Sequence, residues 1–473
     1  MPLVPLFLSV LPTLGTPGDA EVPDIVETGL LPTWWIDTVE PKPQTIAERM
    51  AHHGTPAVSV AVILDGELAW ARAWGVTDAK SGRAVDANTL FQAASISKPV
   101  AALAALVLLE SGDLGLDEDV NGLLQRWKVP DSEFTEIEKV TPRRILNHTA
   151  GLTVWGFPGY DPSGAWPTAP ELLDGKGNTD PVRVYRRPGI GWQYSGGGYT
   201  VLQVALEDVT GKDFATLMGE LVLSPLGMQR STYAQPLPGL LEANAALGHS
   251  GDGSRVAGGA HVYPEQAAAG LWTTPSELAR YLIAVQTMAA GGEGLLDPMT
   301  IEEMLEPGAN GHGLGPSISR EADGLRFGHG GSNAGFKCNM FASIEKGYGA
   351  VVMTNADPGF TLGQEIFQAL AAHYGWPGFE PEVKSILPLD DDALGLYAGT
   401  YELEGFGRIT IEARDGALTL STSWDDEVSR YLPEAEHVFF DAANREPLEF
   451  EVEDGRAVAL TVSGRFRAPR TSD

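Results

Sequence analysis

The run from Lys98 to Glu110 is built almost wholly from Ala, Leu and Val. A helix that is apolar on every side has no face to give to water, so it must sit inside the fold with other elements packed around it. Any architecture for this chain therefore needs enough layers to bury such a helix. Its 473 residues supply them without disulfide staples, and a single cysteine, Cys338, excludes an intramolecular bridge.

What surrounds that helix is legible from periodicity. Ala57 to Gly75 alternates around Asp65-Gly66, a favoured hairpin turn, which predicts paired strands over Val58–Leu64 and Glu67–Trp74. From about residue 112 to 290 the pattern is mainly helical, with Thr210-Gly211 separating two amphipathic stretches. Thr274-Pro275-Ser276-Glu277 reads as a capping box that starts a helix running to about Met288. Trp155 to Gly191 is rich in Pro, Gly, Trp and Tyr and lacks periodicity, as a large ordered loop walling a site would. Strands return near Leu325, Gly349–Asn355 is a short buried strand, and a helix follows over Leu362–His373. Strands at both ends and helices between predict an α+β domain over residues 41–378: one antiparallel sheet closed by the two ends, flanked by helices, with a helical subdomain making a cleft.

Residues 379–393 hold prolines and Asp390-Asp391-Asp392 and read as a linker. Residues 394–473 read as strand and turn throughout. Tyr397–Leu403, Arg408–Ala413, Ala417–Thr422, His437–Asp441, Leu448–Val452 and Val458–Val462 are strand candidates, with hairpins at Asp415-Gly416 and Asp454-Gly455. The prediction is a small antiparallel β-barrel or sandwich, of which the barrel is the reading adopted. Residues 1–40 are an N-terminal extension. Their first eighteen residues carry no charge and have small residues at Gly18-Asp19-Ala20, which fits a cleaved export signal; four prolines and the lack of a preceding Lys or Arg fit a plain extension.

With 63 acidic against 32 basic side chains the formal charge is −31, which argues against nucleic acid or an anionic membrane as partner. No stretch beyond the extension has the length of apolar residues that an integral span needs. Nine His are scattered without metal-ligand spacing, and Gly-x-Ser-x-Gly, His-Glu-x-x-His and the P-loop pattern are missing. The reading is a chain that uses neither metal nor cofactor.

Three elements carry chemistry. Ser95-Ile96-Ser97-Lys98 opens the buried helix. Residues three apart share a helix face, so the Lys98 amine comes near the Ser95 hydroxyl, and burial makes that amine neutral enough to take a proton. The Ser95 N–H and the helix dipole favour an oxyanion there. A second copy of the pattern, Ser343-Ile344-Glu345-Lys346, precedes a turn and a strand and reads as a solvated turn. Tyr194 stands before Ser195 and three glycines, where a phenol between cations would lose its proton more readily. His329-Gly330-Gly331-Ser332 combines an imidazole with residues small enough for a ligand to approach the backbone.

In this order the three elements resemble those of the serine β-lactamase and penicillin-binding superfamily, on the class C-like branch of D-Ala-D-Ala carboxypeptidases, D-aminopeptidases and esterases. Leu146-Asn147-His148-Thr149-Ala150-Gly151-Leu152 and Gly270-Leu271-Trp272-Thr273-Thr274 support the likeness, which spans about residues 45–375. Leu396-Tyr397-Ala398-Gly399-Thr400-Tyr401 looks like the lipocalin-like domain appended to some members. The resemblance implies an acyl-enzyme on Ser95, with Lys98 and Tyr194 sharing its proton, and an oxyanion hole from the N–H groups of Ser95 and Ser332. His329 stands where β-lactamases carry a Lys for the substrate carboxylate, and Gly196 where they carry an Asn. Both departures count against efficient β-lactamase activity. Expected substrates are small molecules or short peptides: amides, including those of D-residues, or carboxyl esters. Trp155, Phe157 and Tyr160 are candidate contacts, with Gly330 and Gly331 lining the strand side. A homo-oligomer is compatible with all this. The rival readings are a non-hydrolytic penicillin sensor or inactive scaffold, and a module whose C-terminal domain binds a partner.

Overall fold

The computed structural model describes residues 21–471, so the export-signal reading of the first eighteen falls outside the described residues. The chain forms two compact units. One comprises residues up to Leu31 together with Pro43–Glu380; the other comprises Pro32–Lys42 together with Pro381 onward.

The first unit is organised by a six-stranded antiparallel sheet. Its strands are β1 (Ala57–Leu64), β2 (Glu67–Gly75), β3 (Ser317–Glu321), β4 (Gly324–Asn333), β5 (Phe336–Ser343) and β6 (Gly349–Thr354), in the order β2-β1-β6-β5-β4-β3. The two ends of the sequence thus meet at β1 and β6, as the pattern predicted. The sequence of β1, AVSVAVIL, is buried almost throughout because both sheet faces are covered. Ala57, Ala61 and Ile63 join one core cluster, while Val58, Val60 and Val62 join the other. Between the halves of the sheet run α1 (Ser97–Ser111), α2 (Gly196–Thr210) and α3 (Pro275–Ala289). After β6 comes α4 (Gly359–Tyr374), whose Leu362, Ile366 and Leu370 pack with Val58, Val60 and Val62.

Eleven of the fifteen residues of α1 are buried, Lys98 among them. Together with the turn before it, Ala94–Ser111 is the one described helix long and apolar enough to cross a membrane, and it lies in the protein core. At α3 the anticipated capping box is half made. Thr274 Oγ1 accepts the Glu277 N–H, but the Glu277 carboxylate turns away to the Arg230 N–H at 2.9 Å and to Ser231. The loop from Trp155 to Gly191 is irregular except for a short helix over Ala169–Leu173.

In the second unit, β7 (Gly399–Leu403), β8 (Gly407–Arg414), β9 (Ala417–Thr422), β10 (Val428–Ala435), β11 (Val438–Asp441), β12 (Pro447–Glu453), β13 (Arg456–Val462) and β14 (Phe466–Pro469) form an antiparallel meander. A bridge between Tyr401 and Arg470, with Thr471 N–H donating to Thr400 O at 2.9 Å, closes it into a barrel. Ile409, Ile411, Leu418, Phe439, Leu448 and Leu460 fill it at alternating positions. Both predicted Asp-Gly hairpins appear, with φ of 52° and 69° at Asp415-Gly416 and 48° and 75° at Asp454-Gly455. Strands β10 and β14 were not foreseen. Pro433 sits at a bulge in β10 and Pro469 ends β14, so proline hid the strand pattern of both. The segment read as a linker carries a strand, Glu382–Lys384, paired in parallel with Trp34–Ile36 from the segment read as an extension.

Candidate active site

Ser95 lies in a single 3-10 turn, Ala94–Ile96, that runs into α1. Ala94 takes a left-handed φ of 49°, a conformation that costs energy for a residue with a Cβ. Three contacts hold this turn. Ser97 Oγ donates to Ala94 O at 2.5 Å and accepts the Leu271 N–H at 3.0 Å, and Cys338 Sγ donates to Ala93 O at 2.8 Å. On the sheet side, a Cβ at Gly331 would come within 2.3 Å of Ala93 O, so only glycine lets β4 pass this close.

Lys98, one turn beyond Ser95, is 2% exposed. Its Nζ donates to Ser95 Oγ at 3.0 Å and to Ala268 O at 2.8 Å. Burial pushes its pKa down to about 7. No carboxylate pairs with it among the described residues, so the cation is left without the partner that would restore its usual basicity.

Tyr194 immediately precedes Ser195, whose Oγ caps α2 by accepting the Gly198 N–H at 2.9 Å. The phenol ring lies 4.9 Å from Lys98 Nζ, and its hydroxyl hydrogen-bonds Ser95. Burial raises the phenol pKa, and the Ser95 hydrogen bond offsets this only in part. The expectation of an easily ionised tyrosine is therefore corrected: desolvation of the buried phenol outweighs the Ser95 hydrogen bond. Three imidazoles ring this phenol, with centroids at 4.3 Å for His148, 6.1 Å for His329 and 6.5 Å for His312. His148 Nδ1 accepts the Ser195 N–H at 3.2 Å, which agrees with its reading as a loop-holding residue.

The other wall is the end of β4. Its neighbour β3 pairs with it only as far as Gly328, so His329 to Asn333 present an edge that no strand covers. His329 is held neutral: burial first, then the Lys98 charge, lower its pKa to about 3. Across β5, Ser332 pairs with Lys337, and Lys337 with Thr354. This register brings in residues that sequence reasoning missed. Lys337 Nζ is bound by Asp357 Oδ1 at 2.6 Å and Asn333 O at 3.1 Å, and Phe360 lies near Gly330.

The cavity these groups enclose measures about 920 Å³. Ser95, Lys98, Tyr194, His329 and Gly330 to Ser332 all line it, as do Trp155 and Phe157. Tyr160 does not; its hydroxyl instead accepts the Asn178 N–H at 3.1 Å. A Cβ at Gly196 would meet Phe157 Cε2 at 2.9 Å and Trp155 O at 3.1 Å, so this loop leaves little room for a side chain at the position where the resemblance leads one to expect an Asn. No cluster of three or more metal-ligating side chains is found among the described residues.

A sheet sandwiched by helices, with a serine-bearing core helix beside an open strand edge, defines the class of the serine β-lactamases and penicillin-binding proteins. The chain belongs to the beta-lactamase family: that family's profile matches residues 43–374, and a domain of unknown function, DUF3471, matches residues 387–470. Esterase EstB of Burkholderia gladioli is 33% identical over 190 residues, covering 37% of this chain and 46% of EstB. A D-aminopeptidase of Brucella anthropi is 23% identical over 318 residues, covering 65% and 58%. The chain thus spans about half the length of these two relatives. The octameric penicillin-binding protein homologue from Pyrococcus abyssi shares the fold, with a TM-score of 0.62 at 23% identity over 89% of this chain and 98% of that one.

Proposed function

We propose that this protein is a serine hydrolase that cleaves small amides or carboxyl esters through an acyl intermediate on Ser95. The observation that carries the reading is the buried Lys98 amine, partly neutral near pH 7 and 3.0 Å from the serine oxygen. Neutral Lys98 takes the Ser95 proton as Oγ attacks the carbonyl carbon. The N–H groups of Ser95 and Ser332 face the oxyanion that forms. The Tyr194 phenol, protonated at rest, gives its proton to the leaving amine or alcohol and recovers one from Lys98. Water then attacks the acyl carbon, and the serine regains its proton.

The surroundings favour neutral acyl groups. His329 is uncharged, Lys337 is paired with Asp357, and Trp155, Phe157 and Phe360 supply apolar walls. Among the described lining residues, a carboxylate beside the scissile bond meets no unpaired cation other than the partly neutral Lys98, which supports weak β-lactamase activity. Relatives named as an esterase and a D-aminopeptidase agree with both substrate classes.

Intact-mass spectrometry after a fluorophosphonate probe tests the reading. One adduct on wild type, missing in Ser95→Ala, is the expected result, followed by turnover of aryl esters or amino acid amides. Folded wild type with no adduct refutes it. A stable adduct with no turnover of any ester or amide favours the non-hydrolytic sensor instead.

A further inference from the structure

A second cavity, of about 1000 Å³, lies on the far side of the loop that walls the first. Gly156 lines both. The partition is the backbone of Val154 to Gly156. Val154 holds a φ of 63°, a rare state for a β-branched residue. It is kept there by Gly197 N–H to Val154 O at 3.0 Å and by Ser195 Oγ to Thr153 O at 2.8 Å. The strained partition is thus tied to the N-terminus of α2, directly after Tyr194.

The second cavity is preformed and polar. Thr153 and Arg183 are tied twice: Thr153 N–H donates to Arg183 O at 2.9 Å, and Arg183 N–H donates to the Thr153 side-chain Oγ1 at 2.8 Å. Tyr160, outside the first cavity, braces the opposite wall of the second through Asn178. Arg183 lines the cavity, and among the described residues its guanidinium is bonded through Nη1 alone, donating to Val182 O at 2.8 Å and Leu173 O at 3.3 Å. It forms no ion pair among the described residues. Asp180, exposed, shares the cavity without pairing to it. An arginine with free donors is suited to a carboxylate, which it can grip with two parallel hydrogen bonds.

We propose that this cavity is a distal subsite of the active site, and that Arg183 takes the carboxylate end of an extended substrate passing over Gly156. The inference rests on the hydrolase reading above. It separates two tasks: the catalytic cavity selects a neutral group at the scissile bond, and the distal cavity selects an anionic end. Asp180 opposes the second task. Gly156 permits the passage, since a Cβ there would meet nothing within 4 Å and its φ is ordinary for a side-chain-bearing residue.

The test uses aryl esters and amides with a carboxylate at the end of a spacer of varied length, on the acyl or the leaving side. Each is compared with its methyl-ester-capped twin. At one spacer length on one side, the free acid should exceed its twin in kcat/KM by about tenfold or more. Arg183→Gln should abolish that advantage, Arg183→Lys should reduce it, and Asp180→Asn should enlarge it. Gly156→Leu should penalise long substrates more than short ones. Equal turnover of acids and twins at every spacer on both sides overturns the proposal, as does an advantage that survives Arg183→Gln. If neither the free acids nor their capped twins are hydrolysed by folded protein, the hydrolase reading fails instead. Calorimetric binding of the free acids to Ser95→Ala, with and without Arg183→Gln, then still decides the subsite.

Discussion

Replacing His329 by Glu or by Lys should move the pH limb of acylation in opposite directions. The limb itself comes from Lys98. An ordinary lysine would be neutral in about one molecule in three thousand at pH 7. With its pKa brought down to about 7 by burial, about half the molecules carry a neutral amine there. Because the neutral form is the base, kcat/KM for a non-ionising ester should fall about tenfold per pH unit below 7 and level off above it. His329 is uncharged across this range, its own pKa being about 3. Lys98 Nζ and the His329 ring lie 4.9 Å and 6.1 Å from the Tyr194 centroid, which bounds their separation at about 11 Å. At an effective dielectric near 20, a unit charge at that distance is worth at least about 1.5 kcal/mol, or about one pKa unit. His329→Glu stabilises the lysine cation and should shift the limb about one unit alkaline. His329→Lys should shift it about one unit acid, and His329→Gln should leave it in place. The assay is a stopped-flow pH series on a neutral activated ester, with circular dichroism to verify folding at each pH. A limb that does not move in folded Glu and Lys variants would refute the assignment to Lys98.

Other substitutions test other parts of the structure. Tyr194→Phe keeps the ring stack and removes the proton carrier, so kcat for an amide should fall by about 10²–10⁴ while the fluorophosphonate still labels Ser95, checked by steady-state kinetics and intact mass. Gly331→Ala places a Cβ against Ala93 O and must displace the turn that carries Ser95; a cost of about 1–3 kcal/mol in urea unfolding and a larger proportional loss of kcat/KM should follow. Glu365, buried in α4, pairs with Arg49, itself 6% exposed, and accepts from His53 at 3.0 Å. Glu365→Ala leaves the guanidinium buried and unpaired, and should cost about 3–5 kcal/mol in the same unfolding assay without changing the pH limb.

The parts of the fold that were legible in the sequence are those fixed by local geometry. Asp65-Gly66, Asp415-Gly416 and Asp454-Gly455 each place two successive residues at positive φ, and that chemistry is written in the dipeptide. The core helix was legible because no polar face interrupts it, and Ser95 with Lys98 because three-residue spacing on a helix is a distance. Lys337, Asp357 and Phe360 were not legible. They meet through the register of three strands, and nothing in Asp357-Pro358-Gly359-Phe360 announces which strand end it will face. His312 reaches Tyr194 from an irregular turn with Asn310 at a φ of 54°. The Glu277 box failed for a related reason: its carboxylate was recruited by Arg230 and Ser231 from a segment more than forty positions earlier. Tyr160 was placed in the wrong cavity because its loop has no period to show which side faces inward.

The pairing of Trp34–Ile36 with Glu382–Lys384 has a practical consequence for anyone who cuts this chain. The backbone leaves the first unit after Leu31, contributes Pro32–Lys42 to the second, returns at Pro43, and crosses again near Glu380. A protease nick at that last crossing would therefore yield two fragments that still clasp each other, co-eluting under native conditions and parting only in denaturant. A fragment begun at Pro381 would lack Trp34–Ile36, the strand that pairs with Glu382–Lys384 in a two-stranded sheet of their own, and would leave Glu382–Lys384 unpaired. The same wiring sets a timetable on the ribosome. Residues 32–42 emerge first and must wait, unmated, until about 340 further residues have been made.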